Sequence, residues 1–222
     1  MSQQEKWVWD RGQAEEYAKA MQKAFKWVYT PLARKIVANL GEAGKPLVVM
    51  DLGTGPGFLP IELSKLLREA KIIEVDPSEE MIDIAKRNAA QAGLKNFEAK
   101  VGSAENLPIE SGYIDLAIAQ SSLHEWENPE LGFSEVFRVL KHGGKLILED
   151  PNKDCPKWKL RLLRLFMMIT SGRQITKAHF DSYDRWLTLN EVATMLEKAG
   201  FREIEGKGLG PSLFVQALKR KG

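Results

Sequence analysis

The sequence predicts an α/β fold: a doubly wound, mostly parallel sheet of seven strands with an antiparallel C-terminal hairpin and helical extensions. Three observations carry that expectation. Short apolar runs alternate with helical patterns from residue 47 onward, the signature of βαβ units. A turn with three alternate glycines joins the first run to the first helix of that series. Two β-like runs, 201–207 and 212–219, separated by Gly206, Gly208, Gly210 and Pro211, end the chain as a hairpin.

Taken in order, residues 13–40 carry apolar positions at helical spacing, including Tyr17, Ala20, Met21, Ala24, Phe25 and Val28. Pro31 interrupts them, so two helices are expected. The strand-like runs are Leu47–Leu52, Ile72–Val75, Phe97–Val101, Ile114–Ala119 and Leu146–Leu148, with helical patterns at 58–69, 78–92 and 128–140. A further helix is expected over 190–199. A single domain, 1–222, then divides into an N-terminal helical lid (1–45), a core (46–150), a helical cap (151–188), and a last helix with the hairpin (189–222).

Composition bounds the function. The chain has 222 residues, 44% hydrophobic and 28% charged, with one cysteine, Cys155. That excludes a disulfide framework and a multi-thiolate metal site. No run approaches the ~20 apolar residues of a membrane span, and MSQQEKWVWD lacks an apolar signal core, so a cytoplasmic location is expected. Net charge is +2, but it is uneven: +3 over 1–46, −8 over 47–150, +5 over 151–187 and +2 over 188–222. An acidic centre argues against DNA as partner, whereas RNA stays open.

The glycine turn reads Asp51-Leu-Gly53-Thr-Gly55-Pro-Gly57-Phe58. Alternate glycines let backbone approach a ligand where a Cβ would collide. The dinucleotide pattern G-x-G-x-x-G fails, because the third glycine comes one place early. The triphosphate pattern is absent too. Asp51 beside the turn suits a ligand bearing an ammonium group. The second strand ends in Asp76, 23 residues after Gly53, where a carboxylate accepts hydrogen bonds from ribose hydroxyls. Ser78 reads as a helix N-cap.

These segments together resemble the class I S-adenosylmethionine-dependent methyltransferases. Asp51 to Gly57 is similar to that family's first motif and Glu74-Val-Asp76-Pro77-Ser-Glu-Glu-Met81 to its second. Gly102-Ser103-Ala104-Glu105-Asn106-Leu107-Pro108 resembles the adenine-flanking segment, with Ser103 where the family usually has Asp. Ile114 to His124 looks like the fourth strand and its loop, and Val139 to Leu146 like the leader of the fifth. The resemblance spans 45–150 and implies the Rossmann-like methyltransferase fold, with S-adenosylmethionine as cofactor and S-adenosylhomocysteine as product. It implies cofactor contacts at Asp51, Gly53, Thr54, Gly55, Gly57, Asp76, Pro77, Met81, Ser103, Ala104, Gln120 and Ser121. The subgroup resembled methylates small molecules, including quinone-type and other lipid-like acceptors. RNA or protein methylation, and a nucleotide-binding scaffold or sensor without transfer, are the alternatives.

Transfer to an oxygen or nitrogen needs a base, and His124, just past the fourth strand, has a suitable ordinary pKa near ~6.5; the other role open to it is to hold the loop. No metal is expected, with Glu149-Asp150 read as a solvated loop mouth. His142 is read as a helix C-terminal residue. The six tryptophans avoid residues 28–125, and the resemblance places Trp7, Trp9, Trp27, Trp126, Trp158 and Trp186 around the acceptor. Tyr17, Trp126, Trp158, His179 and Tyr183 are the substrate-facing candidates. The basic amphipathic stretch 157–169 has three readings: a lid over the acceptor, a packing or dimer helix, or a membrane-surface helix. Monomer and homodimer both remain open.

Overall fold

The computed structural model describes residues 10–40, 47–170 and 172–220. Trp7 and Trp9, expected near the acceptor, lie outside the described residues.

The helices are α1 (Arg11–Ala38), α2 (Phe58–Leu66), α3 (Glu79–Gln91), α4 (Pro129–Val139), α5 (Lys157–Thr170), α6 (Arg173–Asp181) and α7 (Leu189–Ala199). The strands are β1 (Val48–Leu52), β2 (Lys71–Asp76), β3 (Phe97–Val101), β4 (Ile114–Gln120), β5 (Leu140–Pro151), β6 (Arg202–Leu209) and β7 (Ser212–Leu218). They form one seven-stranded sheet in the order β3-β2-β1-β4-β5-β7-β6. The first five strands are parallel and β7 runs antiparallel between β5 and β6. The doubly wound sheet and terminal hairpin match the sequence expectation.

Both sheet faces are covered. On one, Phe133, Val136 and Val139 of α4 and Val192 and Leu196 of α7 pack on Met50, Ile73 and Leu148. On the other, α1 and α2 bury Leu32, Ala33, Ile36, Phe58, Leu59 and Leu63 against Val49, Leu116 and Ile118. Chain order reverses between β1 and β4, which are neighbours, so the carboxyl ends of these two strands open the crevice where such sheets bind ligands.

Three expectations need correction. The N-terminal segment forms one helix, with Pro31 inside it. An interior proline costs about 3 kcal/mol. Tyr29, Leu32, Ala33 and Ile36 around it are buried, and each large apolar side chain returns about 1.5–3 kcal/mol. Packing therefore outweighs the lost hydrogen bond. For the same reason residues 29–36 are a core layer rather than lid. Second, β5 begins at Leu140, directly after α4, so His142 is a strand residue and not a helix end. Gly143 at φ +79° turns the chain there, donating to the Lys219 carbonyl at 2.7 Å. Third, Asp150 is buried, not solvated.

Candidate active site

The glycine turn leaves β1 in left-handed backbone at Gly53, Gly55 and Gly57. At two of these positions the space is already filled. A Cβ on Gly53 would lie 2.3 Å from the Ser122 Cβ, and one on Gly57 would sit 3.0 Å from a Glu74 carboxylate oxygen. The Gly53 and Thr54 amides donate to the Val75 carbonyl at 2.8 and 3.2 Å, and the Gly55 amide donates to Asp76 Oδ2 at 2.9 Å. Asp76 Oδ1 accepts from the Ser78 amide, also at 2.9 Å. Each Asp76 oxygen keeps a lone pair for a further donor.

Asp51, Glu74 and Asp76 are buried together at this end of β1 and β2, and none is ion-paired among the described residues. Burial drives Asp51 up to about 7; the Thr54 hydroxyl opposes this and Asp76 adds to it. Glu74 is raised well above the carboxylate range by burial, then by Asp51 and Asp76, and neither of its oxygens has a hydrogen-bond partner. Asp76 is also raised by burial, offset by the Ser78 and Gly55 amides. Glu74 lies within β2, two residues before its end, where local sequence does not single it out. Three buried carboxylates without a counter-cation fit a cationic ligand, as S-adenosylmethionine is with its ammonium and sulfonium. They suit a diphosphate poorly.

Tyr17 on α1 reaches this loop, with its Cε1 4.0 Å from the position of a Gly55 Cβ. Burial, Asp76 and Glu125 push its phenol up to about 12, so the hydroxyl stays protonated. Met81 is buried beside Tyr17, Ala14 and Ala18. Pro77 is exposed, Ser103 half-buried in a bridge with Asn106, and Ala104 buried under the turn.

After β4 the chain turns sharply. Ser121 adopts φ +50° while its amide donates to the Glu149 carbonyl at 2.8 Å, and the Gln120 side chain donates to the Ser121 hydroxyl. Ser122 donates to the Leu52 carbonyl at 2.9 Å, tying this turn to the glycine loop. His124 follows, buried, its Nδ1 2.8 Å from Asp150 Oδ1, while Asp150 Oδ2 accepts from the Leu123 amide. Burial works against His124 protonation, but the charge and hydrogen bond of Asp150 prevail and the pKa is raised. Its Nε2 lies 3.5 Å from Glu125, whose other oxygen takes a 2.6 Å ion pair from Arg185 of the cap. Asp150 is placed by the β4–β5 register and not by local sequence: Gln120 pairs with Glu149, so the next residue falls beside the β4 loop.

The cap contributes His179, Tyr183 and Trp186. His179 and Tyr183 each lie tilted against the fully buried Trp186 ring, with centroids 5.1 Å away. Burial and His124 hold His179 down at about 4, against Asp150, so it is neutral at pH 7. Two substrate candidates stand elsewhere. Trp126 packs edge-on to Phe133 at 5.2 Å and against Gly132, a core role. Trp158 is exposed on the outer face of α5, and Trp27 is exposed on α1. No cluster of three or more metal-ligating side chains occurs among the described residues.

Comparison with known proteins agrees with this geometry. A family model described as a methyltransferase domain matches residues 44–200. The chloroplastic 2-methyl-6-phytyl-1,4-hydroquinone methyltransferase of Spinacia oleracea is 28% identical over 79% of this chain and 45% of its own length. The chain thus spans less than half of that relative. A crystal structure described as an S-adenosylmethionine-dependent methyltransferase of Methanococcus maripaludis superposes with a TM-score of 0.76 at 24% identity, covering 100% of this chain and 98% of the other. A phosphoethanolamine N-methyltransferase of Haemonchus contortus, solved with phosphomonomethylethanolamine and S-adenosylhomocysteine, gives 0.70 at 13% identity over 95% and 58%. Through the matched domain, the motif order and the switch-point crevice, the chain belongs to the class I S-adenosylmethionine-dependent methyltransferases.

Proposed function

We propose that this chain methylates a small, hydrophobic or aromatic acceptor carrying an acidic proton, of the phenol type, with His124 as the base. The observation that carries the reading is the 2.8 Å contact between His124 Nδ1 and Asp150, buried beside the glycine loop. A carboxylate on Nδ1 fixes the tautomer in which Nε2 carries the lone pair, and it stabilises the imidazolium once a proton arrives. Tyr17, near both Asp76 and Glu125, would cover the crevice beside the glycine loop.

Asp51 would face the ammonium of the cofactor, Asp76 its ribose hydroxyls, and Ser103 and Ala104 its adenine. Bound there, S-adenosylmethionine supplies an electrophilic methyl whose transfer leaves S-adenosylhomocysteine. Alignment of acceptor and methyl is the larger part of such catalysis. Proton removal at Nε2 adds about 10²–10⁴-fold. Support for the acceptor class comes from the aromatic cap of His179, Tyr183 and Trp186, and from the hydroquinone named for the Spinacia relative.

The test combines calorimetry with turnover. S-adenosylmethionine and S-adenosylhomocysteine both bind the chain; a phenol panel with labelled cofactor yields product. His124→Ala keeps cofactor affinity and loses about 10²-fold or more in kcat. Absence of cofactor binding overturns the whole reading, and undiminished turnover in His124→Ala removes the base.

A further inference from the structure

The first cap helix carries two apolar faces, and the fold uses one. α5 packs inward through Leu160, Leu163 and Met167, with Leu160 buried beside Cys155 and Trp186. On the nearly opposite side, Trp158, Leu162, Leu165, Phe166 and Ile169 share an arc of about 100°. These five are 57–77% exposed. Lys157 and Arg161 border that stripe on one side and Lys159 on the other, and the helix has no acidic residue.

We propose that this face of α5 docks on an anionic lipid bilayer, its apolar stripe entering the headgroup–acyl boundary and its lysines and arginine meeting lipid phosphates. An apolar stripe of this continuity marks an interaction surface. Its cationic borders select the occupant. A second copy of the same helix would bring like charges together, whereas anionic headgroups neutralise them. A lid role for the stripe is contradicted by its direction, because the inward side of the cap is already filled by Leu160, Phe180 and Trp186. Arg164 is engaged over the Phe180 ring at 5.6 Å and is left out of the docking set.

The placement also links membrane to chemistry. Leu160 of α5 touches the Trp186 cluster, Trp186 lies tilted against His179, and His179 senses the charges of His124 and Asp150. A helix lying on the bilayer therefore sets the cap, and with it the acceptor site, at the lipid surface. Docking itself stands on α5 alone; its use for loading a lipid-like acceptor rests on the proposed function.

Co-sedimentation with vesicles tests it. The chain pellets with phosphatidylcholine–phosphatidylglycerol vesicles and stays in solution with phosphatidylcholine alone. Each cation contributes about fivefold to partitioning, so Lys157→Ala with Arg161→Ala lowers it by about 25-fold, and added salt does the same. Leu162→Ser with Phe166→Ser lowers it by about tenfold or more. All four positions are exposed, and unchanged S-adenosylmethionine calorimetry reports that the variants are folded. Equal sedimentation with both vesicle types, or partitioning unchanged in both variants, overturns the proposal. So does a dimeric mass in light scattering that Phe166→Ser converts to monomer. Sedimentation reads no chemistry, so failure to dock and failure to methylate a soluble phenol are separate results.

Discussion

Asp150 holds His124 and the chain that carries it with one carboxylate: Oδ1 lies 2.8 Å from His124 Nδ1, and Oδ2 accepts from the Leu123 amide at 2.9 Å. The pair joins the last residues of β5 to the loop after β4, so the imidazole is fixed relative to the sheet rather than to a mobile turn. With the proton on Nδ1, the lone pair lies on Nε2.

Asp150→Asn keeps the shape and removes the charge. Burial, which opposes the imidazolium, is then opposed by Glu125 without the Asp150 charge, so the His124 pKa falls from its raised position. A base works when neutral, so the acid limb of the kcat profile should move to lower pH. The same change weakens tautomer control and stabilises the imidazolium less, so the plateau kcat should drop about tenfold or more. A kcat profile with the limb unmoved would show that Asp150 does not act through His124.

Asp51 should make cofactor affinity pH-dependent. Its folded pKa of about 7 lies above the unfolded value near 3.8. The folded state therefore binds the extra proton between those values, and the contribution of Asp51 to stability falls as pH rises from about 4 to about 7. A cationic ligand favours the ionised form. Affinity for S-adenosylmethionine should therefore weaken by up to about tenfold per pH unit on descending below 7, with proton release on binding near pH 6. The thermal upshift given by the cofactor should be larger at pH 8 than at pH 6. Calorimetry in buffers of different ionisation enthalpy counts the protons. In Asp51→Asn both effects disappear, and a pH dependence surviving in that variant would move its origin to Glu74 or Asp76.

Local signals carried much of this architecture. The strand–glycine–helix turn, the spacing of Asp76 from Gly53 and the apolar runs are all encoded within short segments, and the sheet follows from them. What sequence concealed depends on packing between distant segments. Pro31 reads as a helix break because its local cost is known, but the burial of Leu32 and Ile36 that outweighs it involves α2, β1 and β4. Asp150 reads as solvated because it follows Glu149 near a loop, and only the β4–β5 register brings it to His124. Trp126 and Trp158 read alike as acceptor aromatics; one packs on Phe133 and the other faces solvent, a difference set entirely by tertiary placement.

The contact between the glycine loop and the β4 turn gives the last prediction. Gly53 and Gly93 have nearly the same left-handed φ, +72° and +73°, so an alanine at either place meets the same backbone strain of about 1–2 kcal/mol. Their surroundings differ. Nothing lies within 4 Å of a Cβ at Gly93, whereas at Gly53 the Cβ meets the Ser122 Cβ at 2.3 Å and the hydroxyl at 2.8 Å. That hydroxyl is the one bonded to the Leu52 carbonyl, so relief requires the β4 turn, and His124 two residues on, to move. Gly93→Ala should cost about 1 kcal/mol in a denaturant titration and leave kcat unchanged. Gly53→Ala should cost about 3 kcal/mol or more and lower cofactor affinity and kcat together. Adding Ser122→Gly to Gly53→Ala removes the colliding atoms, so the double variant should be more stable than the two single losses added together predict. Strict additivity would mean that the two loops are not in the contact described, and that strain alone accounts for the glycine.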